Sequence, residues 1–219
     1  MAALTGPRRA AKSGDGKYMV VFLHGYGADG NDLIGLADPL ADHLPDVVFH
    51  APNAPQRCTG NPMGYQWFPI PWLDGSSEMV AAEGMAAAVA LLDQWLDDTM
   101  AAEGLDAAHT MLVGFSQGTM MALHVAPRRD EPLAGVVGFS GRLLAPEALA
   151  TEMKSKMPIL LIHGDADEVV PPSSLPEAAD ALTKAGFETY THISKGTGHG
   201  IAPDGLQLAL QFIHQQFKL

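Results

Sequence analysis

Apolar residues along the chain fall into short runs rich in β-branched side chains, separated by longer segments where they recur every three or four positions. The runs predict strands at Tyr18–Leu23, Val47–His50, Thr110–Phe115, 134–139, 159–162 and 189–193. Helical patterns lie between most of them. Met85, Val89, Leu92 and Leu96 share one face of a long helix, with Glu83, Gln94, Asp97 and Asp98 at polar positions. Leu206, Ala209, Ile213 and Phe217 repeat the spacing in a C-terminal helix opened by Pro203 and Asp204. Strands alternating with helices predict an α/β protein with a mostly parallel central sheet and helices on both faces. No repeat or composition break marks a second domain. One domain is expected over 17–219, preceded by a disordered tail over 1–16 that holds Arg8 and Arg9 but no apolar stretch.

One segment escapes both periods. From 52 to 77 the chain is crowded with Pro, Gly and aromatic residues, too irregular for one helix or strand. A connection this long inside a domain is usually functional or disordered. Tyr65, Trp67, Phe68 and Trp72 argue against disorder. The segment follows a strand whose carboxyl end lies on the ligand-binding edge of a parallel sheet. Trp67 and Phe68 are therefore candidates for walls of an acyl pocket, with cover over a satellite core as the plainer alternative.

On that edge the polar residues become informative. The strand Thr110–Phe115 runs into Gly114-Phe115-Ser116-Gln117-Gly118, and a helical pattern follows. G-x-S-x-G between a strand and a helix is a nucleophile elbow, a sharp turn that lifts the serine hydroxyl above the sheet. Flanking glycines remove Cβ atoms that the turn would crowd. Gly138-Phe139-Ser140-Gly141 also ends an apolar run, but it lacks the second spacer and a clean following helix, so Ser140 reads as structural.

A serine hydroxyl needs a base, and in this kind of fold an acid and then a histidine follow it in the chain. His163-Gly164-Asp165-Ala166-Asp167 ends a later strand and offers two acids. His199 lies in a glycine-rich loop before the last helix. Near the N-terminus, Leu23-His24-Gly25-Tyr26-Gly27 is a glycine loop suited to giving a backbone N–H to a developing oxyanion, with the N–H of Gln117 as the second donor. Neither phosphate-loop pattern is present, and no H-E-x-x-H or other metal-ligand spacing occurs, so no cofactor or metal is expected.

Composition narrows the partners. Hydrophobic residues are 47% and charged residues 17% of 219, with a net charge of −12. An acidic chain is a poor match for nucleic acid or an anionic membrane surface. One cysteine, Cys58, excludes an intramolecular disulfide. The apolar run 19–23 is too short for a leader or a membrane span, so a cytoplasmic protein without stable membrane insertion is expected. A homodimer is compatible with the sequence, which does not fix the oligomeric state.

Together HGYGADG, GFSQG, HGDADEVVP and GTGHGI resemble the small carboxylesterase/phospholipase family of serine α/β-hydrolases, which includes acyl-protein thioesterases. The resemblance runs over roughly 17–217. It implies the α/β-hydrolase fold, with Ser116 as nucleophile, His199 as base and Asp167, rather than Asp165, as the orienting acid. It also implies oxyanion donors at the backbone of Tyr26 and Gln117; the family usually has a smaller aliphatic residue where Tyr26 stands. The segment 60–77 resembles the family's loop beside the acyl pocket, longer and more aromatic here. The activity implied is hydrolysis of short- to medium-chain acyl esters through an acyl-enzyme. Thioester or lysophospholipid substrates are the alternatives, and a non-catalytic binding protein is the rival from another class.

Overall fold

Successive side chains of the central strands point to opposite sides, and both sides are apolar, so these strands are covered twice. In the computed structural model, which describes residues 4–219, Met19, Val21 and Leu23 of one strand join one core while Val20 and Phe22 join the other. The strands are β1 (Arg8–Arg9), β2 (Tyr18–Leu23), β3 (Val47–His50), β4 (Gln56–Arg57), β5 (Tyr65–Gln66), β6 (Thr110–Phe115), β7 (Gly135–Phe139), β8 (Ile159–Gly164) and β9 (Thr189–Ser194). Seven form one sheet in the order β1-β3-β2-β6-β7-β8-β9. Only β1 runs antiparallel to its neighbour. β4 and β5 make a separate antiparallel pair inside the aromatic segment.

The helices are α1 (Gly30–Ile34), α2 (Ala37–Ala41), α3 (Pro71–Asp74), α4 (Glu78–Glu103), α5 (Gln117–Val125), α6 (Pro146–Glu152), α7 (Ser174–Lys184) and α8 (Pro203–Phe217). Leu92 of α4, Met121 of α5, Leu149 of α6 and Leu182 of α7 belong to one core. Leu33 of α1, Leu40 of α2 and Phe212 of α8 belong to the other. This is the α/β-hydrolase fold, with the layers the alternating pattern predicts.

Two expectations change. Within α4 the buried line is Gly84, Ala88, Leu92 and Leu96, whereas Met85 and Val89 are only partly buried. Small residues let this helix sit close to its neighbours, and a count of large apolar residues overlooks them. α4 is also long and apolar enough to cross a membrane by length and composition; here Ala88, Leu92 and Leu96 of that line belong to the buried core, and Gly84 lies against Pro69.

The second change concerns the tail over 1–16. Residues 1–3 lie outside the described residues, but the stretch 4–16 is tied to the sheet edge at several points, with most of its side chains exposed. Leu4 is buried, and β1 pairs with β3 through Arg8–His50 and Arg9–Phe49. Arg8 donates two hydrogen bonds to Glu103, at 2.7 and 2.8 Å, and His50 Nε2 donates to the same carboxylate at 2.9 Å. The Arg8 guanidinium holds the Glu103 carboxyl at about 2, against the upward push of burial. A two-residue strand held by charged partners carries no apolar periodicity, so the pattern missed it.

Candidate active site

The elbow follows from what its residues lack. Ser116 has φ 54° and ψ −116°, a conformation that costs a non-glycine residue of order 1–3 kcal/mol. Its N–H donates to the Phe139 carbonyl at 2.9 Å, which fixes the turn against β7. A Cβ at Gly118 would lie 1.8 Å from the Leu23 carbonyl oxygen, and one at Gly114 2.5 Å from the Thr119 nitrogen. The turn therefore exists only with glycine on both sides of the serine. α5 begins directly after Ser116, so its free N–H groups and positive end face the hydroxyl.

Two other loops bring the histidine and the acid to it. Ser116 Oγ is 3.0 Å from His199 Nε2, and His199 Nδ1 is 2.8 Å from Asp167 Oδ2. With Nδ1 donating to a carboxylate, Nε2 is left as the acceptor for the serine hydroxyl. The Phe115 ring packs on the imidazole at 4.9 Å. Asp167 is fully buried, and its Oδ1 accepts the N–H groups of Val169 and Val170 at 2.8 and 2.9 Å. Burial pushes this carboxyl up, but the His199, Val170 and Val169 donors outweigh burial and hold it below its ordinary value. Asp165 faces away and accepts the Gly196 N–H at 2.6 Å, tying the acid loop to the histidine loop. His163 Nε2 donates to the Val170 carbonyl at 3.0 Å and lies 3.3 Å from Asp167 Oδ2.

The glycine loop after β2 lies against the serine: a Cβ at Gly25 would come within 3.3 Å of Ser116 Cβ. No hydrogen bond among the described residues uses the N–H of Tyr26 or of Gln117. His24 is fully buried; its Nε2 accepts the Ala54 N–H at 2.9 Å, which leaves Nδ1–H to donate to the Gly25 carbonyl at 2.8 Å. That carbonyl shares a planar peptide with the Tyr26 N–H, so holding one aims the other. Burial lowers the pKa of this imidazole and favours its neutral form.

The aromatic segment closes over these parts, though not as the sequence suggests. Trp67 has no exposed surface, and its indole N–H donates to the His24 carbonyl at 2.9 Å. It therefore cannot line an open acyl pocket, and the wall assignment fails for Trp67 on enclosure alone. Phe68 retains 8% exposure. Trp72 and Leu73 turn outward, at 75% and 58% exposed. The Gln117 amide was missed altogether: its Oε1 accepts the Trp67 N–H at 2.9 Å and its Nε2 donates to the Phe68 carbonyl at 2.8 Å. Sequence reasoning weighed only this residue's backbone. The available signal was a long amide directly after the nucleophile, where it can span to a neighbouring chain. Among the described residues no group of three or more His, Cys, Asp or Glu could hold a metal ion.

A serine on a strained strand-to-helix turn, met by histidine and acid loops at the carboxyl edge of a parallel sheet, defines a hydrolase of the α/β-hydrolase fold. The phospholipase/carboxylesterase family profile matches residues 7–217, and the chain belongs to that family. It is 31% identical to acyl-protein thioesterase 1 of Eremothecium gossypii, over 97% of this chain and 94% of that one. Esterase YpfH of Escherichia coli is 26% identical, over 89% of this chain and 81% of its own. The crystal structure of esterase PE8 superposes with a TM-score of 0.93 at 48% identity, covering 98% of this chain and 99% of that one. The protein is a serine hydrolase acting on carboxylic ester bonds.

Proposed function

We propose that Ser116, His199 and Asp167 form the catalytic triad of a carboxylesterase that takes short- to medium-chain acyl esters. The observation that carries this is the unbroken relay from Ser116 Oγ to His199 Nε2, at 3.0 Å, and from His199 Nδ1 to Asp167 Oδ2, at 2.8 Å. His199 takes the hydroxyl proton as Ser116 attacks the acyl carbon. The Tyr26 and Gln117 N–H groups hold the oxyanion, each worth about 10²–10³ in kcat in comparable sites. Collapse expels the alcohol with the proton from His199, and water then releases the acid by the same steps.

The chain-length reading rests on the 60–77 segment, held against the elbow by Gln117, where the Phe68 side chain is buried but for 8% of its surface. Each CH₂ buried there adds about 0.8 kcal/mol until the space is full. kcat/KM on p-nitrophenyl esters should rise from acetyl to roughly hexanoyl and then level or fall. Labelling by a fluorophosphonate probe in wild type, absent in Ser116→Ala, tests the nucleophile. A steady climb through dodecanoyl would remove the chain-length limit. Thioester hydrolysis is the second reading, favoured by the Eremothecium gossypii relative named as a thioesterase; the same series as acyl thioesters separates the two. Acyl esters as small-molecule partners and a cytoplasmic location complete the proposal.

A further inference from the structure

Both proposed oxyanion donors lie on backbone that the aromatic segment grips, through two side chains with no part in the relay. The Gln117 amide holds the segment at Trp67 and Phe68 by two hydrogen bonds of 2.9 and 2.8 Å. From Trp67 the indole N–H continues to the His24 carbonyl, 2.9 Å away and two residues before Tyr26. Gly27 N–H to the Tyr65 carbonyl and Tyr65 N–H to the Ala28 carbonyl, each 2.8 Å, fasten the far side of the same loop. Gln117 is 1% and Trp67 0% exposed, so water does not compete for these bonds.

We infer that the Gln117 amide and the Trp67 indole form one strap that sets the separation and aim of the Tyr26 and Gln117 N–H groups. Both side chains act as positioning groups: the Gln117 amide and the Trp67 ring touch backbone, and the oxyanion is reached only by the main-chain N–H groups of Tyr26 and Gln117. The inference rests on the oxyanion assignment made above. A packing residue would change stability, whereas a strap of this kind changes binding of the oxyanion relative to the ground state.

The test is Trp67→Phe, which removes the indole N–H and also shrinks the ring, with Gln117→Met, which removes the amide at similar length, and the double variant. Active sites are first counted with a fluorophosphonate. Then kcat per labelled site, KM, and inhibition by an alkyl trifluoromethyl ketone and its methyl ketone parent are measured. Ser116 adds to the fluorinated carbonyl, its proton passes to His199, and the hemiketal oxyanion occupies the hole. Each single variant should lose roughly tenfold in kcat, less than removal of a whole donor, with KM within about twofold. Trifluoromethyl ketone affinity should fall in step while methyl ketone affinity holds. The double variant should lose little beyond the larger single loss, since the two bonds act in series.

Normal labelling with unchanged kcat and ketone affinities, and only a lower Tm, would overturn the strap alone. Wild-type labelling at a residue other than Ser116 would overturn the active-site reading and the strap with it. Should Trp67→Phe not fold, Gln117→Met carries the same ratio test unaided.

Discussion

The ends of β6 and β7 carry the same device. Each parallel strand stops at a serine with positive φ, 54° at Ser116 and 48° at Ser140. Each serine N–H donates at 2.9 Å to a carbonyl of the next strand, Phe139 at the end of β7 for one and Ile162 within β8 for the other. Ser116 then meets an imidazole, while Ser140 is 1% exposed with a hydroxyl that finds no partner among the described residues. Backbone strain at a strand end therefore does not make a nucleophile. What separates the two serines is the arrival of a base from elsewhere in the chain and the start of a helix behind the hydroxyl.

The comparison breaks most sharply at Ser116 itself. Ser116→Ala should cost on the order of 10⁶ in kcat with the fold intact. Activity above a few per cent of wild type would move the nucleophile elsewhere, with Ser140 next to be tested. Removing the base's support comes second. Asp167→Asn should lower kcat by roughly 10³–10⁴, because the imidazole loses the partner that sets its tautomer. The same variant has a pH signature. A depressed carboxyl contributes stability that is full above its unfolded value of 3.8 and is lost as pH falls through the folded value. The Tm gap between wild type and Asp167→Asn should therefore narrow from pH 7 toward pH 3; a constant gap would show that the carboxylate charge contributes nothing to folding.

Asp165→Asn is a smaller perturbation, since that carboxylate ties two loops and does not face His199. A loss under about tenfold is expected, and a loss matching Asp167→Asn would reverse the assignment of the acid. Smallest of all should be Ser140→Ala. Deleting a buried hydroxyl that makes no hydrogen bond changes stability by no more than about 1 kcal/mol and leaves kcat/KM unmoved. A marked drop in activity would give Ser140 a role that its geometry does not suggest.

What the sequence disclosed tracks how local the causes are. The elbow is spelled by five adjacent residues, because its steric demands fall on its own glycines. Asp167 and His199, 2.8 Å apart beside Ser116, were legible as candidates because strand ends and glycine loops mark the sheet edge, although choosing Asp167 over Asp165 needed the family resemblance. The central strands were legible through β-branched runs. β1 was not, since Arg8 is held by Glu103, 95 residues away. Nor was the enclosure of Trp67: its indole partner is the carbonyl of His24, and no pattern in one segment reports a hydrogen bond to another. Composition alone suggested a wall where the fold builds an anchor.

The glycines that shape the elbow also limit how this protein can vary. A Cβ at Gly118 meets the Leu23 carbonyl oxygen at 1.8 Å, and one at Gly164 meets the Thr197 carbonyl oxygen at 2.1 Å. Both obstacles are main chain, which no nearby side-chain change can move aside. Among the described residues, nothing lies within 4 Å of a Cβ built on Gly35 or Gly200. In sequence space the first pair are closed positions and the second pair open ones. A mutant library exploring new substrates is thereby constrained: the serine's platform stays where it is, and outward positions such as Trp72 and Leu73 are sterically free to change.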